Sequence, residues 1–298
     1  MVIELWLVFS ILSAVLWAST NIIDKSLIPK HIKTPILPLF TVGAANLILA
    51  FVVLLVVHHT LPSFTNIILS LATGAIWGFV PFVYFKSLLT EDVSRVISLF
   101  SISPLLVLIF ATVFLGEALS YSKYVGVFSM IAGSILISLK FDGKKKFSIN
   151  KNLLLVVAGT FFISISQVLS KSILNEIPYW DFYVWYAIGF FLTTALISIA
   201  RINDLSIIST LKPNIWVGLI LSRFLGVGGL VAFITSLSLG LASLVSAVYS
   251  IQSFFVLIFV LILGFFRHHL ERAWGIEGFL KFIAAILIIY GVFVITVT

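Results

Sequence analysis

Long apolar runs recur along the chain at roughly 3–23, 35–57, 64–85, 96–115, 124–139, 153–170, 182–200, 214–236, 241–266 and 278–297. The breaks between them are short and polar, or carry proline and glycine. Within each run the apolar residues are continuous rather than alternating with period two, which predicts helices and not strands. About 20 apolar residues cross a bilayer as a helix, and in lipid only helices and closed barrels satisfy their own backbone. The pattern therefore predicts an all-α integral membrane protein with ten transmembrane helices. The first run, from Leu5 to Ile23, has neither a basic start nor a small-residue cleavage site. It is expected to be a retained helix rather than a signal peptide.

The pattern repeats. At an offset of 146 residues, Asn21-Ile-Ile-Asp-Lys25-Ser26 falls on Gln167-Val-Leu-Ser-Lys171-Ser172, and Gly43 falls on Gly189. At 148, Gly74 and Gly78 fall on Ser222 and Gly226, Ser98 on Ser246, Pro104 on Gln252, and Gly116 on Gly264. At 158, Gly133 falls on Gly291, which implies an insertion near 266–277. The expected organisation is a first five-helix repeat over 1–140, a basic linker over 141–151 and a second repeat over 152–298. Five crossings are an odd number, so the second half must run inverted relative to the first. Inverted repeats mark many secondary transporters, whose substrate site lies between the repeats.

Composition narrows the class. The chain is 61% hydrophobic and only 10% charged, where soluble domains average about 25% charged, so lipid must be the solvent for most of the surface. There are no cysteines, which removes disulfides, thiolate metal sites and thiol nucleophiles. The net charge of +7 does not point to nucleic acid. Of 18 Lys and Arg, all but Lys123, Lys171 and Arg223 fall in the loops that follow the odd-numbered runs or, for Lys281, at the edge of the tenth run beside the last of those loops. Basic loops stay cytoplasmic, which places the linker with Lys144–Lys146 inside and both termini outside.

Two stretches resemble the EamA-type transporters of the drug/metabolite transporter superfamily. One is Leu16-Trp17-Ala-Ser-Thr-Asn21-Ile-Ile-Asp-Lys25. The other runs from Tyr84 through Ser87-Leu88, Ser94, Ser103-Pro104-Leu105 and Phe114-Leu-Gly-Glu117 to Gly126 and Gly133. The second half departs from the pattern: Gln252 stands for the proline, and Gly264-Phe265-Phe266 for Gly-Glu. The resemblance implies ten helices in two inverted halves around a central cavity, moving small polar metabolites. It also implies cytoplasmic termini, against the loop charges; the loop charges are preferred because they belong to this chain.

Polar residues inside the runs are the candidates for function. Run 1 carries Ser10, Ser13, Trp17, Asn21 and Asp24 on one helical face, and run 6 carries Ser164, Gln167 and Lys171. Run 4 presents Ser94, Ser98, Ser101 and Thr112. Run 9 presents Ser243, Ser246, Ser250 and Ser253 beside Tyr249 and Gln252. These faces either line a cavity or form hydrogen bonds between helices. The expected cavity residues are Trp17, Asn21, Ser98, Ser101, Gln167, Arg223, Ser246, Tyr249 and Ser250. Pro104 is expected inside a helix, as a kink or gate.

Arg223 is the one formal charge deep inside a run. Such a charge faces the protein interior or water and marks function by default. It binds either a substrate carboxylate or phosphate, or a structural partner such as Asp24 or Glu117. Gly74-Ala-Ile-Trp-Gly78 and Ser222-Arg-Phe-Leu-Gly226 read as packing motifs. The expected function is a secondary carrier in the plasma membrane, using alternating access to move small polar or amphipathic metabolites such as amino acids. Its expected partners are the lipid bilayer and an anionic or zwitterionic substrate, with proton coupling through Asp24 in view, as a monomer or homodimer. No cofactor, metal site or catalytic residue is expected. A flippase for a lipid-linked sugar is the second reading and an intramembrane enzyme the third.

Overall fold

The computed structural model describes residues 4–90, 100–138, 151–266 and 276–297. Ser94, Ser98, the linker lysines Lys144–Lys146 and most of the expected insertion lie outside the described residues. All regular structure among the described residues is helical: α1 (Leu5–Leu27), α2 (Ile36–Val56), α3 (Phe64–Thr90), α4 (Ser103–Leu115), α5 (Tyr121–Ser138), α6 (Lys151–Leu174), α7 (Tyr179–Ile199), α8 (Pro213–Leu239), α9 (Ala242–Tyr249), α10 (Gln252–Phe266) and α11 (Ile276–Val297). Among the described residues, eight segments are long and apolar enough to cross a membrane, with α9 and the start of α10 counted as one; α4 is shorter. Their outward faces carry large apolar side chains such as Leu55, Val56, Phe114 and Phe224, exposed as lipid contact requires.

The helices start and stop where the local chemistry says they should. Pro213 opens α8 in its first turn and Pro178 caps α7, positions where the missing N–H is not needed. α4 ends at Gly116, whose φ of 67° suits glycine. Glu117 then donates its backbone N–H to the Ala111 carbonyl. One expectation is corrected here. Pro104 stands in the first turn of α4, with Ile102 as N-cap, and so begins a helix rather than kinking one. The proline inside a helix is Pro81 of α3, which leaves the Trp77 carbonyl without its usual partner.

Packing follows small residues. α3 and α7 approach so closely that a Cβ on Gly74 would lie 1.9 Å from the Tyr186 carbonyl oxygen, and one on Gly189 2.0 Å from that of Leu71. α5 and α11 meet through Gly126, Gly133 and Gly291. α1 lies along α8, and α3 along α6. The Gly74 motif is thus a packing element as expected. The Ser222–Gly226 motif is different: a Cβ on Gly226 meets nothing nearer than 3.8 Å.

The α2–α3 connection is tied to the start of α7. Asp181 receives His59 Nδ1 at 2.7 Å and the Thr60 hydroxyl at 2.7 Å, while His59 Nε2 lies 3.1 Å from the Val53 carbonyl. Both ring nitrogens face acceptors, so both must carry protons for the clasp to form. The Asp181 hydrogen bond, followed by that to Val53, raises the His59 pKa above its ordinary value.

Two outcomes follow from this packing. Gly74→Ala should destabilise the protein by about 1–3 kcal/mol, read as a lower melting temperature in detergent, while Gly226→Ala should leave the melting temperature close to wild type. The His59 clasp has its raised pKa in the folded state, so its contribution is complete below about pH 6.5. It is lost as pH rises through the folded value. Melting temperatures measured across pH 6–9 should therefore fall more steeply for wild type than for His59→Gln.

Candidate functional site

The site grows from the C-terminal half of α1. Trp17, Thr20, Asn21 and Asp24 stand at i, i+3, i+4 and i+7, so they share one face. All four line a cavity of about 200 Å³, room for several waters or a small metabolite. α3 contributes Trp77, Pro81 and Tyr84, again at helical spacing, and α8 contributes Ser222, Arg223, Gly226 and Leu230. Ser101, Ser103 and Pro104 at the start of α4, and Tyr249, Ser250, Gln252 and Ser253 at the α9–α10 break, line the same cavity.

At one end lies a charge pair. Arg223 Nη2 bonds Asp24 Oδ1 and reaches the Ser222 hydroxyl at 3.0 Å; Nη1 donates to the Pro38 carbonyl at 3.3 Å. The Ser222 hydroxyl donates to Asp24 Oδ1 at 2.7 Å, and the guanidinium stands 5.3 Å from the Phe85 ring centroid. The Asp24 side chain is 1% exposed and that of Arg223 6%. Separating such charges from water is costly unless each finds the other and its remaining hydrogen bonds. Four of the five guanidinium N–H groups belong to the two Nη atoms that make these bonds; Nε has no partner. Beside the pair, Tyr84 donates its hydroxyl to Asn21 Oδ1 at 2.9 Å.

Away from the pair the cavity is aromatic. The Trp17 indole stacks on Trp77 with centroids 6.1 Å apart and meets the Tyr249 ring edge-on at 4.9 Å. Its Nε1 is held by the Gly226 carbonyl at 3.0 Å. Two helices begin at the cavity, α4 at Ser103 and α10 at Gln252, and the N-terminal ends of helices favour negative charge. Ser101 and Ser253, close to those ends, approach with their hydroxyls 3.4 Å apart.

Of the expected site residues, Trp17, Asn21, Ser101, Pro104, Arg223, Tyr249 and Ser250 line the cavity. Gln167 and Ser246 do not: they are 1% and 0% exposed, and their side-chain polar atoms have no hydrogen-bond partner. Ser98 lies outside the described residues. The polar face of α1 divides in two. Ser10 and Ser13 bond Ser236 and the Gly229 carbonyl on α8 and so hold helices together, whereas its C-terminal half faces the cavity.

Trp77 and Tyr84 line the cavity without being among the expected site residues, and their helical spacing with Pro81 is the signal in the sequence that finds them. Phe224, next to Arg223, is 76% exposed and points outward. Glu117 has a role the sequence did not reveal. It accepts the Ala242 and Ser243 backbone N–H groups at 2.7 and 3.0 Å and the Ser243 hydroxyl at 2.5 Å, so a carboxylate from the first half caps the first turn of α9 in the second.

Comparison with known proteins agrees with this geometry. Residues 4–139 match the EamA-like transporter family. A Sinorhizobium protein described as an uncharacterized transporter in the cobO 3' region is 39% identical over 69 residues, which are 23% of this chain and 46% of that protein. The match thus spans about half the length of that curated relative. A crystal structure of a protein 17% identical in sequence superposes with a TM-score of 0.67, covering 98% of this chain and 96% of the other, and shares its fold. This is a multi-pass membrane protein whose first half is similar to the EamA-like transporter family.

Proposed function

We propose that the protein is a secondary carrier for small amphipathic metabolites, whose charged head docks at Asp24–Arg223 and whose apolar body packs against Trp17, Trp77 and Tyr249. The observation that carries the reading is a fully buried ion pair on the wall of a cavity to which both halves contribute. A pair needed only to join helices has no reason to border a cavity, and an aromatic wall suits the apolar part of a ligand.

The pair also bears on substrate charge. Arg223 alone would select an anion. With Asp24 bonded to it the site is neutral, and a lone anion would enter against an uncompensated carboxylate. A zwitterion, with its carboxylate on Arg223 and its ammonium on Asp24, keeps the site neutral. So does an anion that arrives with a proton on Asp24, which is the route by which proton coupling would operate.

Alternating access by ten helices in two inverted halves is part of the proposal. Support comes from the packing. Exchanging α1 with α6, α3 with α8 and α4 with α10 turns the α1–α8 contact into α3–α6, and the α4–α6 contact into α1–α10; all four contacts occur. At the offset of 158, Gly126 corresponds to Ala284 and Gly133 to Gly291. Gly126 packs on the Gly291 carbonyl, and Gly133 on that of Ala284.

The test is a flux screen in vesicles across zwitterionic, anionic and cationic metabolites. Zwitterions should be transported best. Arg223→Ala should reduce that flux by about 10–150-fold, the loss of charge-assisted hydrogen bonds of about 1.5–3 kcal/mol. Arg223→Lys should restore part of it, since Lys keeps the charge and loses the planar fork. Leaving one buried charge without its partner is itself destabilising. The double variant Asp24→Leu/Arg223→Met separates the effects, and should remain folded in the membrane while failing to transport. Wild-type flux in either Arg223→Ala or the double variant would sink the proposed docking point.

A further inference from the structure

Gln167 is the least satisfied polar side chain among the described residues. It lies 1% exposed in α6, and neither Nε2 nor Oε1 makes a hydrogen bond. Its neighbours fare better: Ser166 donates to the Thr73 carbonyl at 3.1 Å and Ser164 to that of Thr160 at 2.9 Å. A buried amide with no partner loses its hydration and gains nothing in return.

The internal correspondence suggests what the amide does. At the offset of 146, Gln167 takes the place of Asn21, which lines the cavity and accepts the Tyr84 hydroxyl. At 148, Tyr84 corresponds to Ala232, a methyl group with no hydroxyl to offer. Ser246, whose hydroxyl is also buried and unbonded, corresponds to Ser98. The cavity gathers the C-terminal halves of α1 and α3, the N-terminal half of α2 and the middle of α8. Gln167 lies in the C-terminal part of α6, which in an inverted arrangement points to the opposite face of the membrane. Gln167 is thus at the position that a two-fold-related cavity would use.

We propose that Gln167 is the polar binding residue of the opposite-facing state. When the cavity around Asn21 closes, its counterpart opens around Gln167 and Ser246, and the substrate head group passes from one amide to the other. The inference rests on the inverted-repeat carrier reading given above. In the present state Asn21 accepts a hydrogen bond from Tyr84 while Gln167 makes none, and water or substrate reaching Gln167 would supply it with partners.

The cysteine-free chain permits a direct test. Asn21→Cys, Gln167→Cys and Ser166→Cys are each reacted with a water-soluble methanethiosulfonate in open membrane sheets, so that both faces are accessible. Asn21→Cys should react fast. Gln167→Cys should react at about 0.1–10% of that rate, the population range of an accessible minor state, and Ser166→Cys should stay protected over the same time. Protection of Gln167→Cys equal to that of Ser166→Cys, as a trapped water would give, overturns the proposal. So does equal reactivity of the two, which means general opening. Protection of Asn21→Cys would instead overturn the cavity reading itself, so the two failures are distinct. Independently, Gln167→Leu should raise the melting temperature, because it removes orphaned groups; a fall would mean that the amide is structurally satisfied and would end the proposal.

Discussion

A charge placed in a membrane interior has to find its counterpart within the protein, and Arg223 and Asp24 find each other between α8 and α1. The pair constrains more than two side chains. Ser222 completes the carboxylate's shell, the Pro38 carbonyl at the start of α2 takes Nη1, and Phe85 of α3 supplies a ring face to the guanidinium. Four helices are thereby fixed around one neutral centre. Hydrocarbon offers no competing hydrogen bonds, so small errors of register at this centre would strand a charge. The aromatic part of the cavity hangs on the same arrangement, because the Gly226 carbonyl one turn along α8 holds the Trp17 indole.

A second cross-half contact is made by Glu117, which caps α9. At the repeat-related position the second half has Phe265, in Gly264-Phe265-Phe266. The first half thus supplies the carboxylate that holds the start of the broken α9–α10 segment. Lys171 stands where the first half has Lys25, and donates to the Leu237 carbonyl at 3.0 Å, near the end of α8. The halves share a packing plan and differ in their polar fastenings. The family match covers residues 4–139, within the first half.

Much of the helical order was legible in the sequence, because twenty-residue apolar runs leave lipid-embedded backbone few alternatives. Arg223 stood out for the same reason: one charge among apolar neighbours demands an explanation. What sequence could not decide was which of two sound explanations applied. The partner carboxylate was one option and the cavity wall the other, and the structure realises both at once. The serine faces were ambiguous for a similar reason, since a hydroxyl that lines a cavity and one that bonds a neighbouring carbonyl share the same spacing. Ser13 turned out to be the second kind and Ser101 to lie on the cavity. Pro104 misled because a proline in a long apolar run suggests a kink, whereas here it opens a helix. Gln167 was read as a cavity residue by analogy with Asn21, and only its three-dimensional surroundings reveal a buried and unbonded amide.

The central claim is that the substrate head docks at a centre that is neutral both empty and loaded. Flux under an imposed potential tests it most directly. In proteoliposomes clamped with potassium and valinomycin, a neutral centre predicts that the flux of a transported zwitterion does not change as the potential is varied over about 100 mV. Each elementary charge crossing the membrane would be worth about 2.3 kcal/mol over that range. A flux that rises or falls steeply with potential would mean that net charge moves through the site, and would contradict the account.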